Sequence, residues 1–249
     1  MSITRRSFSA LTLGALLAPG GLRAQSNAGA GATVVELFTS QGCSSCPAAD
    51  ALMLEMARQP GMIPLSYPVE IWDYLGWKDT LARPAFTKRQ RAYAAMVAGK
   101  RVYTPQTIVN GAAHCVGSDL SAISRLKSST SRASGVSLGV AAADDGWVAT
   151  ALVPDEALRA ARVILLPVAS RQTVQIGRGE NSGRTITYAN VVRDIIDLGP
   201  VGSAERKIGI ARKDIAVDKA DGFALLLQSG TLEAPATIWA GTLIGPGKA

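Results

Sequence analysis

The amino-acid sequence predicts an α+β protein in two parts: an α/β domain over residues 32–130 and an antiparallel, β-sandwich-like domain over residues 135–246. Three observations predict this division. Strand and helix patterns alternate in the first half, a polar, Ser-rich stretch follows at residues 128–135, and apolar residues then recur with a period of two. Residues 1–24 lie outside both predicted domains.

Seven elements are predicted in the first half. The apolar, β-branched run at residues 34–38 predicts a buried strand, and Asn110-Gly111 predicts the tight turn of a hairpin. Ser118 or Asp119 is expected to cap the last helix. The resulting order, β-α-β-α-β-β-α, is that of a minimal thioredoxin fold. The strands are predicted at residues 34–38, 62–69, 107–110 and 114–116, and the helices at residues 46–58, 86–98 and 119–126.

Short strands separated by turns rich in Gly, Asp and Ser are predicted in the second half. The scarcity of helical patterns there indicates an antiparallel sandwich. One short helix is expected around residues 189–196. The strands are predicted at residues 136–140, 147–152, 161–168, 173–176, 206–210, 223–228 and 237–243.

The first 24 residues indicate an export signal. Paired arginines, Arg5 and Arg6, precede a modest apolar run, and cleavage is expected after the small residue Ala24. The arginine pair favours a twin-arginine signal over an ordinary secretory one, and a periplasmic location follows. Cleavage removes three arginines and no acids, so the formal charge falls from +7 to +4. Scattered basic residues and the lack of a later long apolar run predict no nucleic-acid partner and no membrane span in the mature chain.

Cys43 and Cys46 are predicted to lie at the start of the first helix, directly after a strand and a turn. The positive end of the helix dipole favours a thiolate, and the three-residue spacing allows an unstrained disulfide. We expect Cys43 to be the exposed nucleophile and Cys46 to resolve the mixed disulfide. A static disulfide and half of a zinc site are the alternatives. His114 and Cys115 face opposite sides of one predicted strand, so no metal site is predicted.

Thr104 and Pro105 precede the third predicted strand. In thioredoxin-like domains a Thr-Pro at this place has a cis peptide bond, and its loop faces the cysteine pair. Pro105 is therefore predicted to belong to the catalytic site, and Thr104 to present its backbone to a bound peptide. Its neighbours Tyr103 and Gln106 are further candidates for substrate binding. The alternative is an ordinary trans proline at the start of a strand.

Glu36 is a carboxylate inside a strand that is predicted to be central. Burial of a charge is costly unless it is partnered or used, so Glu36 is a candidate for moving protons beneath Cys46. A solvent-facing position at the strand end is equally compatible with the sequence. Trp72 and Trp77 lie in an aromatic-rich segment after the second strand, where they are expected to wall a substrate groove or to pin the loop to the core.

Several motifs together resemble the DUF1223 family, a domain-of-unknown-function family of exported bacterial proteins with a thioredoxin-like domain. The resemblance implies that domain and export here. One departure is Pro68, where a histidine is expected in the family. The polar loop at residues 178–185 is expected either to fold over the thiol site or to brace the β-rich domain. The motifs that carry the resemblance are residues 36–47, 72–79, 86–93, 102–106 and 178–192.

The sequence therefore predicts an exported thiol–disulfide oxidoreductase that exchanges disulfides with protein or peptide thiols through Cys43 and Cys46. No cofactor is predicted beyond the redox-active disulfide of this pair. The alternative is a non-catalytic periplasmic binding protein, which would use the same thiols to handle copper or to assist assembly. A disulfide that only stabilises the fold is a third possibility. The sequence does not predict the oligomeric state.

Overall fold

The computed structural model describes residues 31–130 and 133–246. The predicted export signal and its cleavage site after Ala24 lie outside the described residues. Within the described part of the chain, no helix is both long enough and apolar enough to cross a membrane.

The first half forms all seven elements that the sequence predicts there. The Asp119 side chain accepts a hydrogen bond from the Ala122 amide and caps the last helix. Asn110 and Gly111 both adopt positive φ angles in the hairpin turn, as a two-residue turn of this kind requires. In chain order, the elements are β1 (Thr33–Thr39), α1 (Cys46–Met56), β2 (Met62–Pro68), α2 (Pro84–Val97), β3 (Gln106–Val109), β4 (Ala113–Val116) and α3 (Leu120–Ser129).

The described second half consists almost entirely of strands. The short helix predicted around residues 189–196 is wrong. Val191 and Val192 are β-branched and fully buried on opposite faces of a sheet, which favours an extended backbone. The elements are β5 (Ser137–Ala143), β6 (Gly146–Leu152), β7 (Arg162–Gln175), β8 (Thr185–Val192), β9 (Ile196–Pro200), β10 (Glu205–Ala211), α4 (Arg212–Ile215), β11 (Gly222–Gly230) and β12 (Pro235–Ile244).

One large mixed sheet joins the two halves. Its strands lie in the order β12-β11-β7-β8-β2-β1-β3-β4, and β9 pairs with β7. The halves meet where β8 runs parallel to β2, with Ser66 opposite Val191. The Ser66 hydroxyl also donates to the Ala189 carbonyl at 2.8 Å. Strands that the sequence assigned to a second domain therefore continue the sheet of the first.

Each face of the sheet has its own covering layer. Alternate residues of β1 point to opposite sides, so Val35 and Leu37 pack with α1, whereas Phe38 packs with Tyr93 of α2. Strands β5, β6 and β10 form a second, three-stranded sheet. Its apolar face packs on β7 and β11, for example through Trp147 against Phe223 with ring centroids 5.0 Å apart. Helix α1, which carries Cys46, therefore lies on the β1 face that holds Val35 and Leu37.

Candidate thiol site

Two thiols lie in the connection from β1 to α1 and at the first residue of α1. Cys43 sits in the connecting loop and Cys46 is the first residue of α1, with Pro47 following in the first turn. The Cys46 amide donates to the Cys43 carbonyl at 3.2 Å, which holds the loop in a tight turn. Both cysteines are free thiols; Cys43 is 6% exposed, and Cys46 is completely buried. Cys43 is thus the more accessible of the two, although it is more enclosed than the sequence predicted.

The environment shifts the pKa values of the two thiols in opposite directions. A hydrogen bond with Cys46 is the main cause that lowers the pKa of Cys43 to about 5; contacts with Ser45 and Thr104 add to it, and burial opposes it. The Cys43 sulfur lies 3.3 Å from the Ser45 hydroxyl oxygen. Burial, followed by the hydrogen bond and charge of Cys43, raises the pKa of Cys46 far above its ordinary value. Cys43 is therefore the thiolate of the pair and Cys46 the thiol.

The loop before β3 lies directly against Cys43. The peptide bond between Thr104 and Pro105 is cis, and the Cys43 sulfur lies 3.7 Å from the Thr104 carbonyl oxygen. The Trp72 indole donates to the Thr104 hydroxyl at 2.7 Å and ties the aromatic segment to this loop. The structure thus brings together Cys43, Trp72, Thr104 and Pro105, four of the residues that the sequence singled out.

The polar loop at residues 178–185, in the second half, is hydrogen-bonded to the cysteine loop. The Asn181 side-chain amide donates to the carbonyls of Gln41 and Cys43 at 2.9 and 2.8 Å. The Glu180 carboxylate accepts from the Ser44 amide at 3.2 Å. Asn181 is almost fully buried, so its two hydrogen bonds are shielded from water, whereas the bond from Ser44 to Glu180 is exposed. Of the two expectations for this loop, contact with the thiol site is the one that the structure shows.

The aromatic segment is packed between these two loops. The Trp77 indole donates to the Gln41 side-chain oxygen at 2.8 Å. A Cβ at Gly179, which has a φ of +79°, would lie 3.2 Å from the Trp77 Cβ, so this glycine allows the close approach of the second-half loop. Trp72 and Trp77 are both half-buried, and each uses its indole N–H to fix a loop next to the cysteines.

Comparison with solved structures and with family models places the chain among known proteins. A crystal structure of protein AGR_C_4864 from Agrobacterium tumefaciens is similar with a TM-score of 0.76 and 30% identity, over 89% of this chain and 97% of that one. HBP35 of Porphyromonas gingivalis shares the fold with a TM-score of 0.59 and 16% identity, over 87% and 76% of the two chains. A search of curated proteins gave no significant match. The family model described as "Protein of unknown function (DUF1223)" matches residues 34–228. This chain belongs to the DUF1223 family.

In this DUF1223 protein, Glu36 lies apart from the thiols. It follows Val35 on β1 and points to the α2 face, away from α1. The Arg89 guanidinium donates to it at 2.8 Å, and the Tyr93 hydroxyl also donates to it. Gln228 of β11 completes the cluster by bonding both Arg89 and Tyr93. The structure therefore gives Glu36 a buried ion pair instead of a place beneath Cys46.

Two further candidates have their side chains engaged elsewhere. The Tyr103 hydroxyl lies 2.9 Å from the His114 ring nitrogen Nδ1, and the Tyr103 carbonyl accepts from Gln90. Gln106 is fully buried, and its side-chain oxygen accepts from the same Gln90 amide at 3.0 Å. Gln106 also donates to the Arg101 carbonyl and so supports the loop before β3 from the protein interior, where it has no exposed surface for substrate binding. Within the described residues, no group of three or more His, Cys, Asp or Glu side chains is arranged to hold a metal ion.

Sequence reasoning missed Asp50, the carboxyl whose charge acts on the thiols of this DUF1223 protein. Asp50 is buried on α1, and its charge is among the causes that raise the pKa of Cys46. The signal was present in the sequence, because residues i and i+4 of a helix lie on one face and Asp50 is four positions after Cys46. Asn181 could not be assigned a partner from the sequence, because 138 positions separate it from Cys43.

Proposed function

We propose that the β1–α3 segment is a thioredoxin-like redox unit and that the protein is an exported thiol–disulfide oxidoreductase acting through Cys43 and Cys46. The opposite pKa shifts of the two thiols carry this proposal. Cys43, with its lowered pKa, is a thiolate nucleophile at neutral pH. The buried Cys46 stays protonated during the first step and reacts only in the second. Export to the periplasm and cleavage after Ala24 belong to the proposal and depend on residues 1–24.

The proposed reaction has two steps. The Cys43 thiolate attacks one sulfur of a partner disulfide, and the other partner sulfur leaves as a thiolate that takes a proton. Cys46 then loses its proton and attacks the Cys43 sulfur, which forms the Cys43–Cys46 disulfide and releases the second partner thiol. The protein loses two electrons and the partner disulfide gains them. The same steps in reverse oxidise a partner dithiol.

The surroundings of Cys43 suit a polypeptide partner. Ser44 and Ser45 are exposed beside the nearly covered sulfur, so they mark the side from which a partner can approach. Trp72 lies beside the exposed ring of Tyr74, with centroids 6.1 Å apart. An apolar rim of this kind supports binding of an extended or partly unfolded chain that carries a disulfide.

Disulfide exchange with insulin and with glutathione tests this function. Cys115→Ser removes the third cysteine and serves as the matched control, because Cys115 lies on β4 outside the thiol site. We expect the control to reduce insulin and to equilibrate with glutathione, Cys43→Ser to do neither, and Cys46→Ser to accumulate a mixed disulfide that mass spectrometry detects. The proposal fails if the Cys43–Cys46 pair of the control never exchanges with either partner.

A further inference from the structure

The buried face of α1 carries a carboxyl one helical turn after the resolving thiol. Cys46 is fully buried and Asp50 is 1% exposed. The Thr39 hydroxyl at the end of β1 donates to one Asp50 carboxyl oxygen, Oδ1, at 2.7 Å. The other oxygen, Oδ2, is buried without a hydrogen-bond partner among the described residues. Buried carboxylates are ordinarily surrounded by donors, so a structural role alone leaves this oxygen unexplained.

Among the described residues, the titratable groups that interact electrostatically with Asp50 include no cation. They are Cys43 and Cys46 from the thiol loop and α1, Asp79 from the loop before α2, and Tyr188 from β8. The Tyr188 hydroxyl is itself buried without a partner among the described residues. Burial first, and then the charges of Asp79 and Cys43, raise the pKa of Asp50 well above its ordinary value, against the hydrogen bond from Thr39. Asp50 therefore keeps its proton to a higher pH than an ordinary carboxyl group does, which suits a group that accepts and returns a proton.

The resolving thiol needs such a group. Cys46 has no contact with water, and burial raises its pKa, so its proton is not lost directly to solvent. Two other acids in this region are buried. Glu36 lies on the α2 face and is bound to Arg89. Both oxygens of the Asp79 carboxylate already accept hydrogen bonds from backbone amides, those of Gln41 and Leu81 among them. Asp50 lies on the same helix face as Cys46, and its Oδ2 has no hydrogen-bond partner in the part of the chain that the structure describes.

We propose that Asp50 accepts the Cys46 proton when Cys46 resolves the mixed disulfide, an inference that rests on the proposed thiol–disulfide exchange. The proton passes from the Cys46 sulfur to the Asp50 carboxylate. The Cys46 thiolate attacks the Cys43 sulfur, the Cys43–Cys46 bond forms, and the bond from Cys43 to the partner breaks. The partner sulfur leaves with the electron pair as a thiolate and is protonated, and Asp50 later returns its proton to water.

Reaction with Ellman's reagent separates the two steps in one absorbance trace. In a Cys115→Ser background, attack by Cys43 on the reagent releases one coloured thiolate, and attack by Cys46 on the resulting mixed disulfide releases the second. Asp50→Asn keeps the volume and the acceptor for Thr39 but removes the titrating oxygen. Glu36→Gln is the matched control, because it makes the same chemical change in the buried acid on the opposite face.

We expect Asp50→Asn to leave the rate of the first phase within about twofold and to slow the second phase by on the order of 100-fold at pH 7. The second-phase rate should rise with pH in the background protein as Asp50 ionises, and Asp50→Asn should move that rise to higher pH. A normal first phase also shows that the variant is folded. Glu36→Gln should leave the second phase unchanged.

The outcomes distinguish the two proposals. A background protein with no first phase overturns the thiol–disulfide function itself. Two normal phases in the background together with an unchanged second phase and pH profile in Asp50→Asn overturn only the assignment of Asp50. Slowing of the second phase by Glu36→Gln and not by Asp50→Asn would return the proton-accepting role to the strand acid.

Discussion

Titration of the Cys43 thiol tests the electrostatics of the site directly. Its pKa is lowered from 9.0 to about 5, first by the hydrogen bond with Cys46 and further by Ser45 and Thr104. At pH 7 a group with a pKa of about 5 is roughly 99% thiolate, whereas a group with a pKa of 9.0 is roughly 1% thiolate. The reduced protein should therefore hold nearly one full thiolate at neutral pH. Cys46→Ser weakens the main contact, so the midpoint should rise in that variant.

Absorbance at 240 nm measures the thiolate as the pH is changed, and the rate of alkylation by iodoacetamide gives an independent titration. We expect both to show a midpoint near pH 5 in the reduced Cys115→Ser protein and no such transition in Cys43→Ser. A midpoint at or above about pH 8 would refute the assignment of Cys43 as the thiolate of the pair.

The lowered pKa of Cys43 also predicts that the stability of the reduced protein depends on pH. The pKa of Cys43 is lower in the folded than in the unfolded chain, so its stabilising contribution is present above about pH 9 and is lost as the pH falls through about 5. The raised pKa of Cys46 changes the stability only at pH values above the pKa of an unfolded cysteine, which lie outside this pH range. The free energy of unfolding of the reduced protein, relative to that of Cys43→Ser, should thus shrink between about pH 8 and pH 5.

Two further predictions concern buried polar groups that join distant segments. Asn181→Ala leaves the carbonyls of Gln41 and Cys43 without their buried donor and should lower the free energy of unfolding by about 2–3 kcal/mol. The control Ser182→Ala, at the exposed neighbouring residue, should change the free energy of unfolding little. Equal unfolding midpoints of the two variants in urea would contradict this prediction. Arg89→Met leaves the Glu36 carboxylate buried and unpaired and should cost about 3–5 kcal/mol. Adding Glu36→Gln to Arg89→Met should recover much of that loss, and a double variant less stable than Arg89→Met would refute the ion-pair explanation.

Local patterns in the sequence determined the type and place of most elements. The β-branched run before Cys43 forms β1, the Asn110-Gly111 pair forms the hairpin turn, and Asp119 caps α3. These features depend on residues within a few positions of one another, because side-chain periodicity, turn geometry and capping are local properties of the chain. The approach of the Thr104–Pro105 loop to Cys43 was predicted from the order of elements in thioredoxin-like domains.

Tertiary structure decided how the polar groups are partnered. Whether the acid beneath Cys46 is Glu36 or Asp50 depends on which face of β1 meets α1, and on Arg89 being available on the opposite face. The contact of Asn181 with the cysteine loop exists only because the second half continues the sheet through β8 beside β2. The sequence alone thus determined where the two thiols of the candidate site would lie. Tertiary contacts decided what surrounds them, because the partners of the cysteine loop include Thr104 and Asn181, which lie 61 and 138 positions from Cys43.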